Sequence, residues 1–259
     1  MSDRPLVFAH RGGADAMPEH TLGAYLRALE QGADGLECDV RLTRDGHLVC
    51  VHDRRLNRTS NGTGLVSAKT LAELDQLDFG SWHPARPEED PDSTRLLTLD
   101  RLLSALNESG REVRLLIETK HPSRYGAEVE RRLVELLRKH DLADPQPTDS
   151  VRVTVMSFAA LALRRVKAMA PGIPTVYLVE IPPPGVGRGR LPFGAKIAGP
   201  GIGLVKARPG LIPALHAAGL QVYVWTVNTE ADLEVALNHQ VDGVISDRPR
   251  FVLDRLGVP

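Results

Sequence analysis

Apolar and polar positions along this chain follow two periods that take turns. Short apolar runs at Leu6–His10, Val113–Glu118, Val151–Met156, Thr175–Leu178, Gln221–Trp225 and Gly243–Ser246 read as buried strands closed by polar or glycine-rich stretches. Helical stripes fall between them. Leu22, Tyr25, Leu26 and Leu29 follow a plausible cap at Thr21 and stop at Gly32. Val129, Leu133, Leu136 and Leu137 mark a helix over 127–139, and further helices are expected at 99–106, 161–169, 211–218 and 231–238. With the strand that starts at Gly35 and a sixth strand somewhere between Lys196 and Lys206, eight strands alternate with helices. That alternation predicts an α/β fold, a (β/α)8 TIM barrel, whose chemistry sits at the C-terminal strand ends.

The stretch from Gly35 to Asp53 departs from this rhythm. Glu37, Asp39 and Arg41 share one face of an alternating strand, with Leu36, Cys38, Val40 and Leu42 on the other. Asp45-Gly46 signals a hairpin. A two-residue turn there would place Asp39 opposite His52, about 4.5–5.5 Å away, and would send Cys38 and Cys50 to opposite faces, making them poor partners for a disulfide or a metal. The alternative is a half-exposed hairpin with solvated charges. Residues 54–95, with Asn61-Gly-Thr-Gly64, a short helical piece near 68–77 and a polar run over 84–93, read as a small insertion after the second strand within one domain spanning 1–259. Residues 182–203, rich in proline and glycine, read as a long loop.

Composition narrows the partners. The chain has 259 residues, 42% apolar and 25% charged, with a formal net charge of −1, which argues against a nucleic acid or an acidic membrane as partner. No segment reaches the ~20 apolar residues of a membrane span and no signal-like run precedes the first strand, so a cytoplasmic location is the expectation.

His10, Glu37, Asp39, Glu118, Lys120, Ser157, Trp225 and Asp247 all fall at or just past a strand end, so a barrel would gather them into one ring. Glu37, Asp39 and Glu118 offer the hard oxygen set that suits Mg2+ or Ca2+ better than zinc; Glu118 has an alternative in an ion pair with Lys120. His10 and His52 are the natural proton-transfer pair, and Arg11 and Lys120 supply fixed positive charge for a phosphoryl group. Together these groups suit metal-assisted phosphodiester cleavage. The remaining histidines, His47, His83, His121, His140, His216 and His239, read as surface or turn residues.

These motifs resemble the glycerophosphodiester phosphodiesterase family over nearly the whole chain. His10-Arg11-Gly12 looks like its H-R-G, Pro18-Glu19-His20-Thr21 its P-E-N-T, and Glu37-Cys-Asp39 its E-x-D. Thr43-x-Asp45-Gly46 and His52-Asp53 match its hairpin, Ile117-Glu118-Thr119-Lys120 its I-E-x-K, and Trp225-Thr-Val-Asn228 its W-T-V-N. The resemblance implies a barrel enzyme that hydrolyses glycerophosphodiesters to an alcohol and sn-glycerol 3-phosphate with a divalent cation, Mg2+ or Ca2+, or Mn2+. It implies Glu37, Asp39 and Glu118 as ligands, His10 and His52 as acid and base, Arg11 and Lys120 on the phosphate, and Glu19 and Trp225 on the glycerol side. In related enzymes the glycerol hydroxyl is thought to attack first, giving a cyclic phosphate that water opens. His20 departs from the family asparagine. Other readings are a phosphodiesterase for lysophospholipid headgroups or one that releases the cyclic phosphate, a non-catalytic phosphate-binding barrel, and a metal-dependent lyase or isomerase.

Overall fold

A computed structural model describes residues 4–84, 91–181, 183 and 185–258. Eight parallel strands close on themselves: β1 (Leu6–His10), β2 (Gly35–Leu42), β4 (Val113–Thr119), β5 (Val151–Ser157), β6 (Thr175–Val179), β7 (Ile197–Pro200), β8 (Gln221–Val224) and β9 (Gly243–Ser246). The ring shuts where β1 pairs with both β2 and β9. A short antiparallel strand, β3 (Leu48–Cys50), hangs from the outer end of β2. The fold is a TIM barrel.

Helices α1 (Leu22–Glu30), α3 (Leu99–Glu108), α4 (Glu128–Lys139), α5 (Ala160–Met169), α7 (Leu211–Ala217) and α8 (Glu230–Asn238) cover the outside. Two were not apparent from periodicity: α6 (Ile202–Ala207), a short helix that starts at the end of the expected loop and overlaps the range expected for the sixth strand, and α9 (Pro249–Arg255), begun by its proline. Thr21, Thr98 and Thr229 cap α1, α3 and α8 by accepting a hydrogen bond from a first-turn amide. The sixth barrel strand is β7, and it breaks that glycine- and proline-rich stretch in two; residues 182 and 184, like 85–90 of the polar run, lie outside the described residues. None of the described helices is long and apolar enough to cross a membrane.

Alternation sorts side chains between two cores. Leu36, Cys38 and Val40 face out and pack under α1, α3 and α4. Phe8, Leu116, Met156, Val176, Ile197, Tyr223 and Ile245 face in and fill the barrel. Gly35 makes room for that filling, because a Cβ there would stand 2.7 Å from the Phe8 ring. One pleat further along, the inward positions become His10, Glu37 and Glu118. A polar layer therefore lies on an apolar floor.

The hairpin differs from the expected register by one residue. Val40 pairs with Cys50 and Leu42 with Leu48, so Asp39 stands opposite Val51 rather than His52. The turn holds three residues, Arg44–Gly46, because Thr43 donates from its amide to His47 O (2.9 Å) and accepts from the Gly46 amide (3.2 Å), with Gly46 left-handed at φ 88°. Asp-Gly fits this longer turn, in which a left-handed glycine forms a bulge, as well as the two-residue one. The slip also puts Cys38 and Cys50 on the same outward face, where they are buried free thiols within hydrogen-bonding reach.

The described residues of the 54–95 insertion fold beside the hairpin around Leu56, Val66, Leu74 and Phe79, which pack on Val49 and Val51 of the hairpin and on Leu96. Helix α2 (Leu71–Leu74) carries a full capping box between Thr70 and Glu73. Substituting Gly46 by alanine is expected to cost about 1–2 kcal/mol of stability, read as a lower urea midpoint with an unchanged slope, since a Cβ there meets only the end of Arg132 and the cost is that of a left-handed backbone.

Candidate active site

Parallel pairing alone brings the acids together. His10 is the register partner of Glu37, and Asp39 that of Glu118, on three consecutive strands. One oxygen from each of Glu37, Asp39 and Glu118 lies within 4.8 Å of the other two, and all three residues are buried.

Burial and mutual repulsion set the charges of this cluster. Burial, with the Asp39 and Glu118 charges added, raises the Glu37 carboxyl well above the ordinary range, and burial beside Asp39 lifts Glu118 to about 8. Burial pushes Asp39 the same way but is outweighed by the His20 hydrogen bond and by Lys120 and Arg11, so Asp39 stays well below its usual value. Lys120 Nζ lies 2.8 Å from Glu118 and 3.3 Å from Asp39, and Arg11 Nε 3.2 Å from Asp39. The ion pair between Glu118 and Lys120 and the acidic cluster thus coexist. Two side-chain cations face three carboxylates, so full ionisation would leave one negative charge unanswered. The shortfall falls at Glu37: its Oε2 accepts only the Arg11 amide (3.0 Å), and its buried Oε1 has no hydrogen-bond partner among the described residues. An all-oxygen donor set with an orphaned buried carboxylate oxygen fits a hard divalent cation.

Each histidine is oriented by an aspartate. His10 Nδ1 donates to Asp247 Oδ1 (2.6 Å), leaving Nε2 3.9 Å from Glu37. Asp247 in turn accepts from Asn228 Nδ2 (2.6 Å), and burial is outweighed at Asp247 by the His10 and Asn228 contacts, which keep it ionised. His52 Nδ1 donates to Asp53 Oδ1 (2.7 Å). Burial lowers His52 to about 4, so the ring is neutral at pH 7. His52 comes to the site from beyond β3, where the chain bends and Arg41 grips its carbonyl with two hydrogen bonds (2.7 and 2.9 Å). Arg41, the third polar residue of the β2 face, therefore does the positioning that strand pairing was expected to do.

His10, Arg11, Glu37, His52, Glu118, Lys120 and Trp225 line one cavity of about 270 Å3. Glu19 does not line it. Its carboxylate sits behind Arg11, 3.2 Å from that guanidinium, and is clamped by two Arg58 bonds of 2.7 Å. Ser157, placed in the ring from sequence, is fully buried and ties β5 to Thr119 O (2.9 Å). His20 adopts φ 61°, in the left-handed region that asparagine enters readily, and bridges Tyr25 Oη (2.7 Å) and Asp39 Oδ2 (3.0 Å). Burial lowers its ring below the ordinary value; Nε2–H donates to the Asp39 carboxylate, while the Tyr25 hydroxyl lies between Nδ1 and Glu37 O (3.2 Å). Three of the other histidines are less exposed than expected: His83 is buried, His121 pairs with the fully buried Glu130 at 2.6 Å, and His140 pairs with Asp100 at 2.7 Å.

Arg58 is the residue sequence reasoning missed. It comes from the insertion and joins Glu19 to Asp53 (2.7 Å), so one guanidinium braces the partners of both Arg11 and His52. Nothing in its local sequence marks it. Asp247 carried a signal, since it directly follows the end of β9, and Asn228 closes the Trp225-Thr-Val-Asn228 stretch in the loop after β8.

Fold and site together define a barrel enzyme with an acid-lined, cation-flanked cavity at the C-terminal face. The sequence profile of the glycerophosphoryl diester phosphodiesterase family matches residues 10–251, and the chain belongs to that family. It is 48% identical over 235 residues to the probable glycerophosphodiester phosphodiesterase 1 of Mycobacterium tuberculosis, covering 90% of this chain and 86% of the relative. It is 34% identical over 252 residues to the glycerophosphodiester phosphodiesterase of Bacillus subtilis, covering 95% and 85%. Among solved structures, an Oleispira antarctica phosphodiesterase in complex with the product sn-glycerol-3-phosphate matches with a TM-score of 0.82 at 28% identity, over 98% of this chain and 97% of that one.

In an NMR titration the His52 ring is expected to stay neutral down to about pH 5 and to protonate near pH 4; a midpoint near 6.5 would contradict the burial argument. Arg58→Ala is expected to lower kcat by about 10–100-fold with little change in Tm, the usual effect of removing a partner one step behind the reacting groups.

Proposed function

We propose that this protein hydrolyses glycerophosphodiesters to an alcohol and sn-glycerol 3-phosphate, with His52 as base and His10 as acid. The observation that carries the proposal is the convergence on one cavity of Glu37, Glu118, His10 and His52, with Asp39 behind the lining but one of its oxygens within 4.8 Å of oxygens of both glutamates, and with each histidine held through Nδ1 by an aspartate. Family membership supports the substrate class.

Glu37, Asp39 and Glu118 would hold a divalent cation, Mg2+ or Ca2+ by the hardness of the donors, with Mn2+ also compatible. When bound, the ion supplies charge stabilisation for the phosphoryl oxygens. Arg11 and Lys120 would hold the remaining phosphoryl oxygens, since both guanidinium and ammonium are fixed at the acids' edge and open into the cavity. Arg11 would be aimed by Glu19, which acts from behind it. Neutral His52, with its Nδ1–H committed to Asp53, would accept the proton of the attacking hydroxyl at Nε2. That hydroxyl belongs to water, or to the substrate's glycerol, in which case water must then open the resulting cyclic phosphate to give sn-glycerol 3-phosphate. As the new P–O bond forms, the bond to the leaving alcohol breaks, and His10 Nε2–H would protonate the departing oxygen. Asp247 would balance the charge of the imidazolium this role requires. Trp225, fixed by its Nε1 bond to Gly199 O (2.7 Å), would wall the glycerol side and exclude water. Residues 1–259 would work as one domain, with 54–95 as an insertion that supplies Arg58.

Hydrolysis of glycerophosphocholine, followed by enzymatic detection of glycerol 3-phosphate, tests the reading directly. His10→Ala and His52→Ala are each expected to lose about 100- to 10,000-fold in kcat with the fold retained by circular dichroism; near-normal rates in both would refute the assignment. EDTA is expected to abolish turnover and Mg2+, Ca2+ or Mn2+ to restore it. Because Glu118 is raised to about 8, it holds a proton at pH 7 that a cation must displace, and burial raises Glu37 in the same direction. Calorimetric titration of the metal-free protein is therefore expected to show proton release, and an affinity that climbs with pH up to about 8.

A further inference from the structure

The formal net charge of −1 conceals an uneven distribution. From Ser150 to Thr229 the chain carries nine lysines and arginines and a single acid, Glu180, so this stretch stands at +8 while the rest, with 23 cations against 32 acids, stands at −9. Because β5, β6, β7 and β8 are neighbours in the barrel, the stretch is one continuous sector of its wall. Acids of the flanking helices answer part of it, as where Glu130 of α4 pairs with Arg165 and Asp232 of α8 with Lys206. Arg164, Arg188, Arg190 and Lys196 are exposed and have no carboxylate partner among the described residues.

Exposed apolar side chains lie among these cations. The turn Pro192–Gly194 packs on α5 and presents Phe193, 44% exposed, from a left-handed backbone at φ 51°. The Arg164 guanidinium lies over that ring, 5.4 Å from its centroid, and Leu161, one helical turn before Arg164, is 49% exposed. Arg188 and Arg190 precede the ring in the chain and Lys196 follows it. A phenylalanine and a leucine rimmed by unpaired cations match the chemistry of an anionic lipid surface, where apolar side chains enter the acyl boundary and cations meet phosphates. Single-stranded nucleic acid would need open aromatic faces for its bases, but Arg164 covers one face of Phe193 and Leu161 offers none. A duplex, held through its phosphates, would gain nothing from the two apolar groups. We propose that the outer wall between α5 and β7 is a docking face for anionic phospholipid membranes. None of its residues lines the catalytic cavity, so docking and turnover can be measured apart.

Co-sedimentation of the full chain with lipid vesicles tests the docking face. Vesicles of phosphatidylcholine containing about a third phosphatidylglycerol are compared with vesicles of phosphatidylcholine alone, at about 0.1 M and about 0.5 M salt. At low salt the protein is expected to bind the anionic vesicles at least about tenfold more tightly than the neutral ones, and at high salt to leave them. Arg190→Glu and Lys196→Glu should each weaken binding about tenfold, since each reverses one charge near the surface. Arg44→Glu, the same change of net charge made at the hairpin turn, should leave binding within about twofold. Phe193→Asn, which suits the left-handed backbone, should weaken it several-fold and keep the salt dependence. Equal binding to neutral vesicles, binding to neither kind, or binding unmoved by the three wall variants overturns the proposal. Binding of a DNA duplex through the same residues, without vesicle binding, overturns it as well. The phosphodiesterase reading is untouched by each of these results.

Discussion

Three carboxylates packed side by side out of water set the terms for the rest of this barrel. At separations near 5 Å and an effective dielectric near 20, each like-charged pair costs about 3 kcal/mol, before any loss of hydration. Such a cluster persists only if positive groups answer it or protons neutralise part of it, as the raised Glu37 and Glu118 carboxyls allow. Arg11, Lys120 and the His20 N–H each point at Asp39 or Glu118, while Glu37 is left to a single backbone amide and the Arg11 guanidinium stays aimed across at Asp39. The remaining demand for positive charge is what makes the place suitable for a cation and, beside it, a phosphate.

The barrel supports this cluster by simple means. Parallel register sets the height of each acid, the period of two turns it inward, and the apolar floor of Phe8, Leu116 and Tyr223 keeps water from approaching below. What could be read from sequence follows from those two rules. Strand ends carry the chemistry in a (β/α)8 fold, so Glu37, Asp39, Glu118 and His10 could be gathered without knowing any side-chain conformation. Asp247 and Asn228 belong to the same logic, although their service to His10 depends on hydrogen-bond geometry that spacing does not encode.

His52, Glu19 and Arg58 show where that logic stops. His52 was expected by counting across a two-residue turn, and one additional turn residue removes it from the ladder; it reaches the cavity because Arg41 holds its carbonyl and Asp53 its ring. Glu19 looks like a substrate contact in one dimension, but the left-handed backbone at Arg11 and the double bond to Arg58 place it behind the guanidinium. Arg58 comes from a segment whose sequence reads only as a small insertion, and long-range pairing of an arginine leaves no periodic trace. The cysteines fail for the same reason as His52, since a slip of one residue exchanges the faces of a strand.

The three-residue turn has a consequence for how such a site can change over evolution. Because the imidazole after β3 is moored by side chains and not by ladder pairing, its placement is decoupled from the barrel's strand register. The small core around Leu56 and Phe79 can be rebuilt, lengthened or exchanged as a module, so long as it returns one guanidinium to the Glu19–Asp53 gap. The staves of the barrel would then keep their acids in place while the lid above them diversifies.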